Sequence, residues 1–149
     1  MADTVANFPP DVLTENAPRG RILVIDDEPD IRDSLEALLS SENYRVELAA
    51  NATEGLKRLE NSAYDLVLLD LMMPHLSGLD VLAAMRGDER WRNVPCIILT
   101  AAGQEQQHTS AMTLGADDFL TKPFSPKKLY ARAAELVGLS PDDSTTEAS

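Results

Sequence analysis

The sequence predicts an α/β fold, a doubly wound parallel sheet of five strands with five helices. Three observations carry that prediction. Short apolar runs alternate strictly with segments of helical spacing. The run Leu66–Leu69 is apolar at every position, as expected of a strand buried on both faces. Polar residues also collect where runs end: Asp26 and Asp27 after Ile22–Ile25, Asp70 after Leu69, Thr100 after Leu99, and Lys122 shortly after Leu120.

The elements follow in order. Residues 1–20 carry Pro9, Pro10 and Pro18 with no apolar period, and read as a flexible arm. The domain is expected to span residues 21–138. Its first strand is 22–26. Pro29 suits a first helical turn, and Ile31, Leu35, Leu38 and Leu39 then recur at helical spacing. Val46–Ala49 reads as a short second strand. Asn51 is a candidate cap for a helix carrying Ala52, Leu56 and Leu59. Asp65–Asp70 is the third strand. A loop with Pro74 and Gly78 leads into a helix with Leu79, Leu82 and Ala83. Val94–Thr100 is the fourth strand. The helix expected at 104–114 is weakly apolar and stops before Gly115, a plausible residue to follow a helix end. Phe119–Thr121 is the fifth strand, and Pro126 opens a last helix with Leu129, Ala133, Leu136 and Val137 on one stripe. Residues 139–149, polar and acidic, read as a disordered tail.

Composition excludes several classes. The formal net charge of −12 would repel polyanionic DNA, so direct nucleic-acid binding is not expected. No run is long enough to span a membrane. The N-terminus lacks the basic start and apolar stretch of a secretory signal. Cys96, the single cysteine, cannot form an internal disulfide, which fits a reducing, cytoplasmic setting, and its apolar surroundings read as core. His75 and His108 lie in polar stretches and read as surface residues. Trp91 precedes the fourth strand, away from Asp70.

Five strands fit the flavodoxin-like order 2-1-3-4-5, adopted by analogy with other sheets of this kind. That order makes strands 1 and 3 neighbours at the switch point, and strand ends on one edge then share a crevice. Two unit charges ~5 Å apart repel by ~3 kcal/mol at an effective dielectric of 20. Three carboxylates with one lysine therefore call for a hard divalent cation. Mg²⁺ fits, since it takes one or two carboxylates, keeps waters and accepts phosphate oxygens; Mn²⁺ can substitute. No Cys/His cluster offers a zinc site. Asp70 can act as a nucleophile toward phosphorus. Lys122 can pair with one phosphoryl oxygen and Thr100 can donate to another. For each residue alone the plainer reading stands beside this one. Asp26 or Asp27 could cap the helix at Pro29, Thr100 could bond locally, and Lys122 could be solvated surface. Their joint placement on four strand ends favours the site.

The strings ILVIDDEPDIR, DLVLLDLMMPHLSGLDVL, PCIILTA and GADDFLTKPF resemble a response-regulator receiver domain, from about residue 20 to 138. The resemblance implies Asp70 as phosphoacceptor, with Thr100 and Lys122 on the phosphoryl oxygens. It implies metal ligation by Asp27 and Asp70 directly, by Asp26 through water, and by the Met72 backbone carbonyl. It also implies a cis bond before Pro123. The donor would be a sensor histidine kinase or a histidine phosphotransfer protein. The receiver would be no enzyme in the ordinary sense, although it would assist its own phosphotransfer and slow autodephosphorylation. Thr100 and the aromatic residue three before Lys122 would form the switch. That residue is Phe119, where the family often has tyrosine; it can pack inward but lacks a hydroxyl, so switching by packing is expected.

The weak 104–114 helix suggests low local stability, and signalling is expected through the face of the fourth helix, fifth strand and fifth helix. Too few residues follow 138 to form an output domain. Output is therefore expected through a bound partner, self-association or a segment beyond this chain. Two other readings use the same residues. A haloacid-dehalogenase-type phosphatase also has an aspartyl nucleophile, but it resembles D-x-D on the first strand, where Glu28 stands here. A scaffold of the same fold would work without phosphorylation.

Overall fold

The computed structural model, which describes residues 17–138 except 102 and 105, alternates strand and helix throughout. The strands are β1 (Arg21–Ile25), β2 (Arg45–Ala49), β3 (Leu66–Asp70), β4 (Cys96–Ala101) and β5 (Asp118–Lys122). After them run α1 (Pro29–Ser41), α2 (Ala52–Asn61), α3 (Gly78–Arg86), α4 (Gln106–Leu114) and α5 (Pro126–Val137). All strand pairs are parallel, in the order β2-β1-β3-β4-β5. The expected fold class and strand order both hold. The expected arm before residue 17 and the tail at 139–149 lie outside the described residues. Residues 17–20 join the fold: the Arg19 amide donates to the Asn43 carbonyl at 2.7 Å, and the Gly20 carbonyl accepts from the Arg45 amide at 2.9 Å.

Period-two alternation divides the core into two layers. Ile22, Val24, Leu66, Leu68, Ile97 and Leu99 face α1 and α5, where Leu35, Leu39, Leu129 and Ala133 meet them. Leu23, Ile25, Val67, Leu69, Cys96 and Ile98 face the other helices, meeting Leu59, Leu82, Met85 and Ala111. Every residue of β3 is buried, as its unbroken apolar run requires in a central parallel strand.

Helix ends follow their local chemistry. Asn51 caps α2 by accepting from the Glu54 amide at 2.8 Å. Ser125 caps α5 by accepting from the Lys128 amide at 3.3 Å. At α3 the Asp80 carboxylate accepts from the Ser77 amide at 3.0 Å. Prolines occupy the first turns of α1 and α5, where no amide donor is missed.

The differences from expectation are local. Strand bounds move by one or two residues; Asp65 precedes β3 because its carboxylate accepts from the Arg21 amide at 2.9 Å. Ala83 is exposed, and Val81, Leu82 and Met85 form the buried side of α3. In α4 only Ala111 is buried among the described residues, whereas α5 buries Leu129, Ala133, Leu136 and Val137.

Candidate functional site

Register assembles the site. β1 and β3 pair Ile25 with Leu69, so the next residue on each strand, Asp26 and Asp70, emerges at the same edge. Both are buried, as is Thr100 at the end of the next strand. The Asp26 amide stays in the ladder, donating to the Ala49 carbonyl at 3.1 Å. Past β3 the chain turns through Met72–Ser77, with His75 in the left-handed region at φ 69°. Gly78 brings α3 back against the strand; a Cβ there would stand 2.3 Å from the Asp70 carbonyl oxygen. Past β5, the Lys122–Pro123 peptide bond is cis.

Carboxylate oxygens of Asp26, Asp27 and Asp70 all lie within 4.8 Å of one another. Lys122 faces this cluster. Its Nζ lies 3.0 Å from Asp26 Oδ2, 3.6 Å from Asp70 Oδ2 and 2.8 Å from Glu28 Oε1. One ammonium thus answers three carboxylates, with the carboxylate of Asp27 beside them. Asp26 Oδ1 accepts from the Glu28 amide at 2.9 Å. Asp26 Oδ2 is close to Lys122, but off its bonding direction. Among the described residues it is the buried side-chain polar atom left without a hydrogen bond. Asp70 Oδ1 accepts from the Met72 amide at 3.2 Å.

The electrostatics follow. Burial, and next the charge of Asp26, push the Asp70 pKa up to about 7. Lys122 and the Met72 amide pull it back only in part. Burial works against the charge of Lys122, but its hydrogen bond to Glu28 and the nearby carboxylates of Asp26 and Asp70 outweigh that, and its pKa is raised. An oxygen-rich pocket with surplus negative charge and an unsatisfied buried carboxylate oxygen fits a hard divalent cation.

The sequence-predicted residues Asp26, Asp27, Asp70 and Lys122 therefore come together. Thr100 ends the neighbouring strand, and its hydroxyl lies 3.4 Å from His108 Nε2. His108 is half-buried, and its ring stacks on Phe119 with centroids 3.7 Å apart and an interplanar angle of 27°. The surface reading of His108 is thereby corrected. The residue lies three positions before buried Ala111, on the same side of α4. That spacing was the available signal. His75, by contrast, is exposed. Two more residues escaped sequence reasoning. Glu28 was noted only as a departure from D-x-D, yet it holds Lys122. Arg32 Nη1 donates to the Asp26 carbonyl at 2.8 Å, tying α1 to the end of β1.

Comparison with known proteins agrees with this geometry. Residues 22–134 match the response regulator receiver domain family. The transcriptional regulatory protein DltR of Streptococcus agalactiae is 44% identical over 112 residues, covering 75% of this chain and 49% of that protein. Response regulator MprA of a Mycobacterium species is 41% identical over 126 residues, covering 83% and 53%. The chain thus spans about half the length of the curated relatives it matches. The receiver domain of NtrX from Brucella abortus superposes with a TM-score of 0.75 at 32% identity, covering 80% of this chain and 99% of that one. With an acidic pocket at the sheet's switch point and a sequence match across nearly the whole described chain, this protein belongs to the response-regulator receiver-domain family.

Proposed function

We propose that Asp70 is the phosphoacceptor of this receiver, charged by a sensor histidine kinase or a histidine phosphotransfer protein. The observation that carries the proposal is the convergence of Asp26, Asp27 and Asp70 within 4.8 Å, with Lys122 3.6 Å from Asp70. A carboxylate oxygen of Asp70 attacks phosphorus, the donor's N–P bond breaks, and the products are an aspartyl phosphate and a neutral histidine. Lys122 leaves Glu28 to pair with one phosphoryl oxygen, and the Thr100 hydroxyl donates to another. Asp27 and Asp70 would hold Mg²⁺ or Mn²⁺ directly, Asp26 through water, and Met72 through its backbone carbonyl. When bound, the cation supplies the positive charge the pocket lacks and holds Asp70 ionised at neutral pH. Slow hydrolysis of the aspartyl phosphate would reset the switch.

Phosphorylation adds roughly one negative charge to Asp70. Thr100 and Phe119 carry the change toward α4, β5 and α5, the face proposed to engage a downstream partner. α4 supports this role, since Ala111 is its one buried residue among those described, and weakly anchored elements rearrange at low cost. Acetyl phosphate with Mg²⁺ tests the reading. Intact mass should show one added phosphoryl group per chain, mapped to Asp70, absent without Mg²⁺ and absent in Asp70→Asn. Labelling elsewhere, or repeated turnover of p-nitrophenyl phosphate, would replace it with a different reaction. Equal partner affinity for wild type and Asp70→Asn would indicate a scaffold instead.

A further inference from the structure

Phe119 has no hydroxyl, yet a polar atom still stands between the aromatic residue of β5 and the threonine of β4. It is His108 Nε2, 3.4 Å from Thr100 Oγ1, on a ring stacked 3.7 Å from Phe119. One side chain on α4 thus touches both residues of the proposed switch. It also lies in the first turn of α4, three residues before Ala111, the sole buried residue of that helix among those described. The contacts of His108 are therefore a sizeable part of what seats the start of α4.

We infer that His108 is a latch: it holds the Thr100 hydroxyl and stacks on Phe119, and Thr100 must leave it to reach a phosphoryl group on Asp70. The inference rests on the receiver reading above. Thr100 Oγ1 shares a hydrogen bond with Nε2 as donor or acceptor according to the imidazole tautomer. Moving that hydroxyl toward Asp70 breaks the bond and withdraws one support of the His108 ring. The stack on Phe119 and the first turns of α4 then shift together. His108 acts here as a positioning residue, biasing an equilibrium that phosphorylation completes. A hydrogen bond of this length is weak, so the bias is a few-fold rather than a hundred-fold.

The test uses the full chain with Mg²⁺ and beryllium fluoride as the phosphoryl mimic. His108→Phe keeps a ring for Phe119 and removes the bond to Thr100. It should bind beryllium fluoride about three-fold more tightly than wild type. His108→Gln keeps a donor and acceptor for Thr100, and should return affinity toward the wild-type value. In a Thr100→Ala background, His108→Phe should change nothing, because the coupling runs through the hydroxyl. In wild type, the His108 ring nitrogens should shift in ¹⁵N spectra on saturation. Unchanged or weaker binding by His108→Phe, a gain that persists in Thr100→Ala, or unmoved ring nitrogens would overturn the latch. Wild-type protein that binds no beryllium fluoride would overturn the receiver reading itself, and the latch with it.

Discussion

The two ends of the sheet hold their charges in opposite ways. At the end where the strands begin, Arg86 is thoroughly partnered. It donates to the carbonyls of Val94 at 2.8 Å, Gly115 at 3.0 Å and Arg92 at 3.2 Å, and to the Asp117 carboxylate at 3.3 Å. Asp117 in turn accepts from the Cys96 amide at 2.8 Å, so one guanidinium fastens α3, the α3–β4 connection and the start of β5. At the end where the strands finish, Asp26, Asp70 and Glu28 share one lysine with Asp27 close beside them, and a buried carboxylate oxygen is left without a bond. The first arrangement is closed and contributes stability. The second is open, and its unspent electrostatic attraction is available to a ligand.

Substitutions should separate the two ends, and the largest effect is steric. In Gly78→Ala the new Cβ meets backbone, 2.3 Å from the Asp70 carbonyl oxygen and 2.8 Å from Leu71 Cα. We expect a loss of about 4 kcal/mol in denaturant unfolding, together with loss of phosphoryl labelling. Gly55→Ala meets no backbone but only the side chain of Ile25, with Cδ1 2.5 Å and Cγ1 2.9 Å away, and should cost about 1–2 kcal/mol with labelling retained.

Titration of the open end comes next. The folded pKa of Asp70, about 7, exceeds its ordinary value of 3.8. The folded state therefore holds this proton more tightly than the unfolded chain, and the contribution of Asp70 to stability is greatest below pH 4. It falls as pH rises through 7. Without metal, the stability of wild type relative to Asp70→Asn should fall by about 2–4 kcal/mol between pH 4 and 8. A flat difference would show that Asp70 is neither desolvated nor crowded by Asp26.

At the closed end, Arg86→Ala strands several carbonyls and Asp117, and should cost about 2 kcal/mol while leaving Mg²⁺ affinity within two-fold of wild type. A large fall in Mg²⁺ affinity would show that the two ends are coupled. The smallest effect belongs to Asp27→Asn. Relief of repulsion should raise the metal-free Tm by a few degrees, worth about 1 kcal/mol, while Mg²⁺ no longer adds stability. A lower metal-free Tm would contradict the crowded geometry.

Much of the open end was legible in the sequence because it is written in strand ends. Asp26, Asp27, Asp70 and Lys122 each close an apolar run, and parallel topology carries such positions to one edge. The closed end was not legible. Arg86 acts through backbone carbonyls, which leave no mark on residue type, and its partners lie up to 31 positions away. His108 was misread for a related reason. The face of α4 that turns inward is built from His108, Ala111 and Leu114, with one large apolar residue at its very end, so the periodicity that revealed α1 and α5 had little to display. Ala83 erred in the opposite direction: an apolar residue at near-helical spacing sits on the solvent side, where a methyl group costs little.

The pairing of Ile25 with Leu69 has a consequence for how the molecule fails. Because the carboxylates follow directly from that alignment, a chain whose strands slip by one place turns its acids to opposite sides and sends residues of each core layer into the other. Folding of the sheet and appearance of the acidic pocket are thus a single event. Misassembled copies would be silent in a signalling cell rather than wrongly switched on.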